Sequence, residues 1–390
     1  QNGGLVRADM RNGGNGGVSE PDDAGPFNWD TPFFLSPHNQ KILYFAGRRA
    51  VRSLDQGRNS TSVSPELGLT KRGTATAIAE SPLEAGLLYA GTDDGAFWRS
   101  HDGGAKWEEI HDKVTGLRGP RYVTSIHPSR HEAGRVYVTF DGHRSDDNST
   151  YVFVSEDRGD SWRSLTESLP AGQPCFCVVE DPRVEDLLFL GTETTCWASR
   201  DRGTTWHRFA KDLPTVQVRD LVIQDRDADL VAATHGHGAA VVDIAALRQI
   251  DADTGKDGAH LFRPELVTRW VMRSRGTQGH REWFAPNPPS GAVIRVWTRE
   301  APPANTRVAI LDIRGETVAT LDLAEEAGAQ TLRWEMRGAG RRRGREVEAG
   351  SYAARLTIGE KSWSVPITVR DDPSAASHPF AEAAFPTTRQ

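Results

Sequence analysis

Short apolar runs separated by turn-forming residues recur through the first part of the chain. Leu87-Leu88-Tyr89-Ala90-Gly91-Thr92 is followed by Phe97-Trp98-Arg99-Ser100, and Leu187-Leu188-Phe189-Leu190-Gly191-Thr192 by Cys196-Trp197-Ala198-Ser199. Val136-Tyr137-Val138 and Val152-Phe153-Val154 hold the same places before Ser155. Runs this short, rich in β-branched and aromatic residues and bounded by glycine and polar turns, predict strands rather than helices. Upstream of two of these pairs, Ile78-Ala79-Glu80-Ser81-Pro82 and Val178-Val179-Glu180-Asp181-Pro182 predict a further strand that ends in a turn.

An octapeptide punctuates the pattern. Its good copies are Ser100-His-Asp102-Gly-Gly104-Ala-Lys-Trp107, Ser155-Glu-Asp157-Arg-Gly159-Asp-Ser-Trp162 and Ser199-Arg-Asp201-Arg-Gly203-Thr-Thr-Trp206. A degenerate copy begins at Ser53 and has Ser60 where the tryptophan belongs. The copies start 47, 55 and 44 residues apart, a period that suits one four-stranded propeller blade. The aspartate can accept backbone N–H groups of its own turn, and the glycine supplies a positive φ. The tryptophan folds back to seal the hairpin against its neighbour. Each blade is thus expected to run strand, turn, strand, turn, strand, octapeptide, strand.

Approximate blade limits are 28–64, 74–116, 122–170 and 176–214. Residues 218–247 supply the first strands of another blade without an octapeptide, and residues 1–11 look like the last strands of a blade whose start is absent. The fold class expected is all-β: an Asp-box β-propeller of four full blades and two partial ones over 1–247, followed by an Ig-like β-sandwich. Asp251-Ala-Asp-Thr-Gly255 and Pro286-Asn-Pro-Pro-Ser-Gly291 read as linker, which spans 248–290. Alternating runs from Ala292 to Thr368 give about seven strands, the sandwich of 291–370. Residues 371–390 read as a loose tail.

The 390 residues carry a net charge of −6, so nothing draws the chain globally to nucleic acid or an anionic membrane. No apolar run is long enough to span a bilayer. Cys175, Cys177 and Cys196 are too few and too odd in number for a disulfide framework. They read either as buried free thiols or as a bridge from Cys196 to one of the other two. Cys175 and Cys177, two apart in a strand, should share a face. No cofactor is indicated.

Candidate ligand contacts fall in polar turns. The richest, Asp141-Gly-His143-Arg144-Ser-Asp146-Asp147-Asn148, interrupts the third blade and lengthens its period. Long polar loops on rigid scaffolds often carry function. Its three aspartates are also compatible with Ca²⁺, which takes clustered oxygen ligands, although the spacing matches no EF-hand. Arg130 and His131 form a second polar turn, and His235 and His237, at i and i+2, a third. Asp93-Asp94-Gly95 suits a type I′ hairpin turn. Arg341-Arg-Arg343, with Arg337 and Arg345, is the strong basic run, either a solvated hairpin or an anion contact. Asp102, Asp157 and Asp201 are committed to their own turns and are not catalytic candidates.

Several motifs in this order resemble one family: Asn28-Trp-Asp-Thr-Pro32, Ala79-Glu-Ser-Pro82, Gly91-Thr-Asp-Asp-Gly95, Pro128-Ser-Arg-His131, Phe140-Asp-Gly-His-Arg144 and Thr234-His-Gly-His-Gly238. They look like the bacterial sortilin-type, BNR-repeat secreted proteins called glycosyl hydrolase-like, over roughly residues 1–370. The C-terminal part resembles the Ig-like module of flagellar hook-capping proteins. His237, where the family usually has arginine, and Ser60 depart from its pattern. The resemblance implies further blades upstream, an extracytoplasmic setting, and non-catalytic binding of a protein, peptide or glycan. The alternatives are a sialidase- or xyloglucanase-type glycoside hydrolase and an assembly factor for an envelope complex.

Overall fold

A computed structural model describes residues 3–9, 13–209, 212–271, 290–338 and 344–373. Among them, two compact units divide the chain, Gln1–Asp243 and Ile244–Gln390.

The first unit is a row of β-propeller blades. Four of its sheets have four antiparallel strands in sequence order. The first is Phe33–Leu35, Leu43–Ala46, Ala50–Ser53 and Thr61–Ser62. The second is Ala75–Glu80, Leu88–Thr92, Phe97–Ser100 and Glu108–Glu109. The third is Tyr122–Pro128, Val136–Asp141, Tyr151–Ser155 and Arg163–Ser164. The fourth is Cys175–Glu180, Leu188–Thr192, Cys196–Ser199 and His207–Phe209. A fifth has three described strands, Val218–Gln224, Asp229–Thr234 and Gly238–Asp243. The N-terminal pair Val6–Asp9 and Gly14–Gly17 forms a two-stranded hairpin.

The second strands of blades one to four are wholly buried because both of their faces meet a neighbouring sheet, which is why they read as continuous apolar runs. The first strands of successive blades lie side by side. Gly91 permits that approach: a Cβ there would lie 2.3 Å from Val123 of the next blade. Between blades two and three the core holds Tyr89, Phe97, Phe140, Phe153 and Trp162. Between blades three and four it holds Tyr137, Val152, Leu188, Leu190 and Trp206.

The second unit has two sheets around one core. Ala259–Leu261, Ala292–Thr298 and Gly328–Trp334 make a three-stranded sheet. Val267–Arg269, Lys361–Asp371, Gly350–Ile358, Arg307–Leu311 and Thr317–Asp322 make a five-stranded one. Ile294 and Val296 from one sheet meet Val308, Ile310, Leu356 and Ile367 from the other. The linker expected over 248–290 carries two of these strands instead. Ala259–Leu261 pairs with Val296–Thr298, and Val267–Arg269 runs parallel to Val369–Asp371. Three-residue strands are too short to show a period, so the turn signals around them dominated the reading. Pro286–Pro289, the basic run Arg341–Arg343 and the tail beyond 373 lie outside the described residues.

Candidate functional site

Each blade has two ends, fixed by strand register. In blades two to five the first strand begins opposite the end of the second: Ala75 pairs with Thr92, Tyr122 with Asp141, Cys175 with Thr192 and Val218 with Thr234. The turns that follow Thr92, Asp141, Thr192 and Thr234 therefore share one end. The octapeptide turns lie at the other, since Ser100, Ser155 and Ser199 pair with Leu88, Val136 and Leu188.

The octapeptide end is self-contained. Ser100 Oγ accepts from Gly104 N at 2.9 Å, and Asp102 Oδ1 accepts from Lys106 N at 2.8 Å. Ser155–Asp157 and Ser199–Asp201 repeat the arrangement, with Gly159 N and Gly203 N donating to the serines. The degenerate copy keeps it too, Ser53 Oγ accepting from Gly57 N and Asp55 Oδ1 from Asn59 N. The turn therefore does not depend on the tryptophan. Bonds from Asn59 hold the Asp55 carboxyl down at about 2. Burial pushes the Asp157 carboxyl up, but bonds from Ser161 and Ser155 outweigh it and leave it at about 2. The tryptophans instead join blades. Trp107 Nε1 donates to Val63 O and Trp206 Nε1 to Leu165 O, each on the preceding blade, and the Trp162 ring lies 5.5 Å from Phe97.

Arg130 and His131 sit at this same end, where the Arg130 side chain is exposed while the His131 ring joins two blades. His131 Nε2 contacts Asp181 O of the next blade at 2.8 Å, as His38 Nε2 of blade one contacts Ser81 O of blade two. Buried Glu180 accepts from Ser129 Oγ, Arg130 N and Tyr137 Oη. Beside it, His127 accepts from Glu180 N through Nε2, and burial lowers its pKa to about 4.

The opposite end is different. Asp141 is buried and binds both His143 N, at 3.0 Å, and His143 Nδ1. Asp147 accepts from Arg121, Tyr151 Oη and Ser149 N. Burial raises its carboxyl, but these bonds outweigh burial and hold it well below the usual range. Asp141 and Asp147 thus shape the loop, while His143, Arg144 and Asp146 stay exposed. Among the described residues no group of three His, Cys, Asp or Glu side chains is placed to hold a metal. His235 and His237 are exposed at this same end.

Within blade three the Arg144 guanidinium lies 5.0 Å over the Tyr122 ring, and the Arg219 guanidinium of blade five lies 4.3 Å over Phe176 of blade four. Burial raises the Tyr122 phenol while the Arg144 charge lowers it, and the two pairs stand on the neighbouring first strands of blades three to five. Trp29, 70% exposed, precedes the first strand of blade one at this end. Partial desolvation raises the Asp220 carboxyl, next to Arg219, although the residue is exposed and Leu221 N donates to it.

Tyr122, Phe176 and Arg219 were not among the residues expected at a site. Phe176 and Arg219 occupy a repeated β-bulge. The first strands of blades two to five shift register between Ala75 and Ala77, Val123 and Ser125, Cys175 and Cys177, and Val218 and Asp220. The extra residues are Thr76, Thr124, Phe176 and Arg219. The two threonines tie blades, Thr76 Oγ1 to Val123 O at 2.6 Å and Thr124 Oγ1 to Cys175 O at 3.2 Å. The last two positions form the cation–π pair instead. Aligning first strands across the repeat would have exposed this divergent column.

The same bulge reverses one expectation. Cys175 packs with Tyr137 and Val152 of the preceding blade, whereas Cys177 Sγ faces Val218 O of the next, because the extra residue flips the alternation. All three cysteines are free and buried, and burial pushes the Cys196 thiol up to about 12. The Asp93-Asp94-Gly95 turn is likewise not type I′. Only Gly95 has positive φ, 96°, the geometry of a type I turn closed by a left-handed glycine. Asp93 and Asp94 accept from Thr74 N and Thr70 N, which commits both to the loop.

No family model matches the chain, and no curated protein does. Among solved structures it is similar to the GH74 xyloglucanase from Xanthomonas campestris, at 15% identity and a TM-score of 0.42, over 98% of this chain and 49% of that one. The extracellular domain of BT4673 from B. thetaiotaomicron matches at 11% identity and 0.46, over 95% and 48%. YCF48 from Cyanidioschyzon merolae matches at 15% and 0.38, over 58% and 72%. The chain spans about half the length of the first two.

Proposed function

We propose that this chain is a non-catalytic binding module that works outside the cytoplasm. Its ligand, a protein, peptide or glycan, would sit at the blade end that carries Trp29, Tyr122, Arg144, Phe176 and Arg219. The observation behind this reading is the bulge column. Two of its four positions keep the threonine that ties blades, and two depart from it to put a guanidinium over an aromatic ring. An arginine held flat on a ring is pre-organised and presents its N–H edge outward, which suits recognition. We take the C-terminal unit as an accessory Ig-like module and the whole as sortilin-type.

The test is binding of the intact chain to peptide and glycan arrays, with an Arg144→Gln/Arg219→Gln double variant alongside. The variant is expected to lose about tenfold or more in affinity, with an unchanged melting temperature. Undiminished binding by a folded variant sinks this site.

One observation favours the glycoside-hydrolase alternative. The Asp220 carboxyl, solvent-exposed beside Arg219, is shifted in the direction a general acid needs. The reading we hold predicts no turnover of sialosides, xyloglucan or other β-glucans. Turnover abolished in Asp220→Asn would make the protein an enzyme.

A further inference from the structure

The tripeptide that accepts N-linked oligosaccharide, Asn-x-Ser/Thr, occurs twice in the first unit, as Asn59-Ser60-Thr61 and Asn148-Ser149-Thr150. Their letters are identical, so only the structure separates them. Transfer needs the asparagine amide nitrogen free to attack and the hydroxyl two residues on free to donate a hydrogen bond.

Asn59 fails the first condition. It belongs to the degenerate octapeptide turn, where its Nδ2 donates to Asp55 Oδ2 at 2.7 Å and its backbone N to Asp55 Oδ1 at 2.9 Å. The Asp55 carboxyl, held at about 2, is ionised at neutral pH, so the bond from Nδ2 is charge-assisted. Engaging this amide from outside breaks up the turn.

Asn148 is the opposite case. It is exposed in the irregular segment between the 3₁₀ turn His143–Ser145 and the strand Tyr151–Ser155, and its amide has no hydrogen-bond partner among the described residues. Thr150 Oγ1 accepts from Gln173 N at 3.2 Å and keeps its own proton to donate. The loop holds its shape through Asp147 instead, whose carboxylate accepts from Arg121, Tyr151 Oη and Ser149 N. Asp146, exposed two residues before Asn148, supplies the carboxylate that the acid-requiring class of bacterial oligosaccharyltransferase reads there. Gly57 holds that place before Asn59.

We propose that Asn148 is an acceptor for an N-linked oligosaccharide and that Asn59 is silent. This rests on the extracytoplasmic part of the reading above, because lipid-linked glycans are presented on that side of the membrane. In the transfer, Asn148 Nδ2 forms a bond to C1 of the first sugar of a polyprenyl-diphosphate-linked oligosaccharide. The C1–O bond to the diphosphate breaks, polyprenyl diphosphate leaves with the electron pair, and Nδ2 gives one proton to solvent. Nothing is oxidised or reduced. The product carries its glycan on the loop of His143 and Arg144, at the blade end opposite the octapeptides.

The test is incubation of the folded full chain with a polyprenyl-diphosphate-linked oligosaccharide and an acid-requiring oligosaccharyltransferase, read by intact mass and glycopeptide mapping. One oligosaccharide is expected, on Asn148. Asn148→Gln and Thr150→Ala should abolish the mass shift, and Asp146→Asn should slow it about tenfold or more through one lost charged contact. The Arg144→Gln/Arg219→Gln variant should be modified like the unaltered chain. The assay depends neither on compartment nor on the ligand site, so a failure here is distinct from a failure of that reading. With a transferase that reads Asn-x-Ser/Thr alone, a free peptide of residues 55–63 should be modified at Asn59, while the folded chain takes its glycan at Asn148 only. The proposal is overturned if the folded chain takes no glycan from enzymes that modify a free peptide of residues 144–152, or if the folded chain is modified at Asn59.

Discussion

At one end of the blades the repeat is written four times in nearly the same letters, and at the other its equivalent positions hold threonine, threonine, phenylalanine and arginine. The octapeptide end spends its polar groups on itself. Serine and aspartate accept from their own turn, and in three of the four copies tryptophan packs on the blade before it. The opposite end leaves Trp29, His143, Arg144 and Arg219 exposed to solvent. The contrast shows where a repeat is held by packing and where it is free to differ. A turn that closes on itself and buries its aromatic has one good solution. A strand end facing solvent has many, and there a ligand can select the residue.

The sharpest way to break this comparison is at the octapeptide end. Trp206→Ala removes a side chain that is 5% exposed and its bond to Leu165 O. It should destabilise the first unit by about 3–5 kcal/mol in denaturant titration. Arg219→Gln should stay within about 0.5 kcal/mol in the same assay. Equal losses would erase the distinction between the ends.

Gly104→Ala comes next. Gly104 has φ 96°, and a Cβ would lie 2.8 Å from Val63 O. A left-handed alanine pressed on backbone should cost about 1–3 kcal/mol. Thr76→Val, on the bulge column, should cost only about 1 kcal/mol, the worth of its bond to Val123 O.

Acid separates the parts by pH. His127 is held neutral with a folded pKa of about 4, below the free imidazole value of about 6.5. Its neutral-state stability is therefore complete above about pH 6.5 and declines as the pH falls toward 4. Asp55 and Asp157, at about 2 when folded, contribute fully above about pH 4 and lose that contribution between 4 and 2. A melting-temperature series should show two declines. His127→Gln should flatten the upper one, and an unchanged upper decline in that variant would falsify the assignment.

Much of the first unit was legible because its information is local. The octapeptide holds its own hydrogen bonds within eight residues, so its spacing alone marked four hairpins and the blades around them. Where neighbours in space decide, the reading failed. Cys175 and Cys177 face opposite ways because Phe176 bulges between them. Ala259–Leu261 and Val267–Arg269 become strands only through partners far along the chain. The loop at Asp141–Asn148 was legible as a polar loop, but the division of labour within it was not: Asp141 and Asp147 accept bonds inside the loop, Arg144 lies over the Tyr122 ring, and Arg130 and His131 lie at the octapeptide end.

By itself, the sequence determined the strand-turn period, the octapeptide turns and the all-β class, because each rests on contacts between residues close in the chain. Only the tertiary structure decided which turns share an end, which aspartates are consumed by their own loops, and which arginines lie over aromatic rings. Those facts depend on the register between strands and on the approach of one blade to the next. A bulge of one residue changes both without changing the pattern of apolar and polar positions on either side of it.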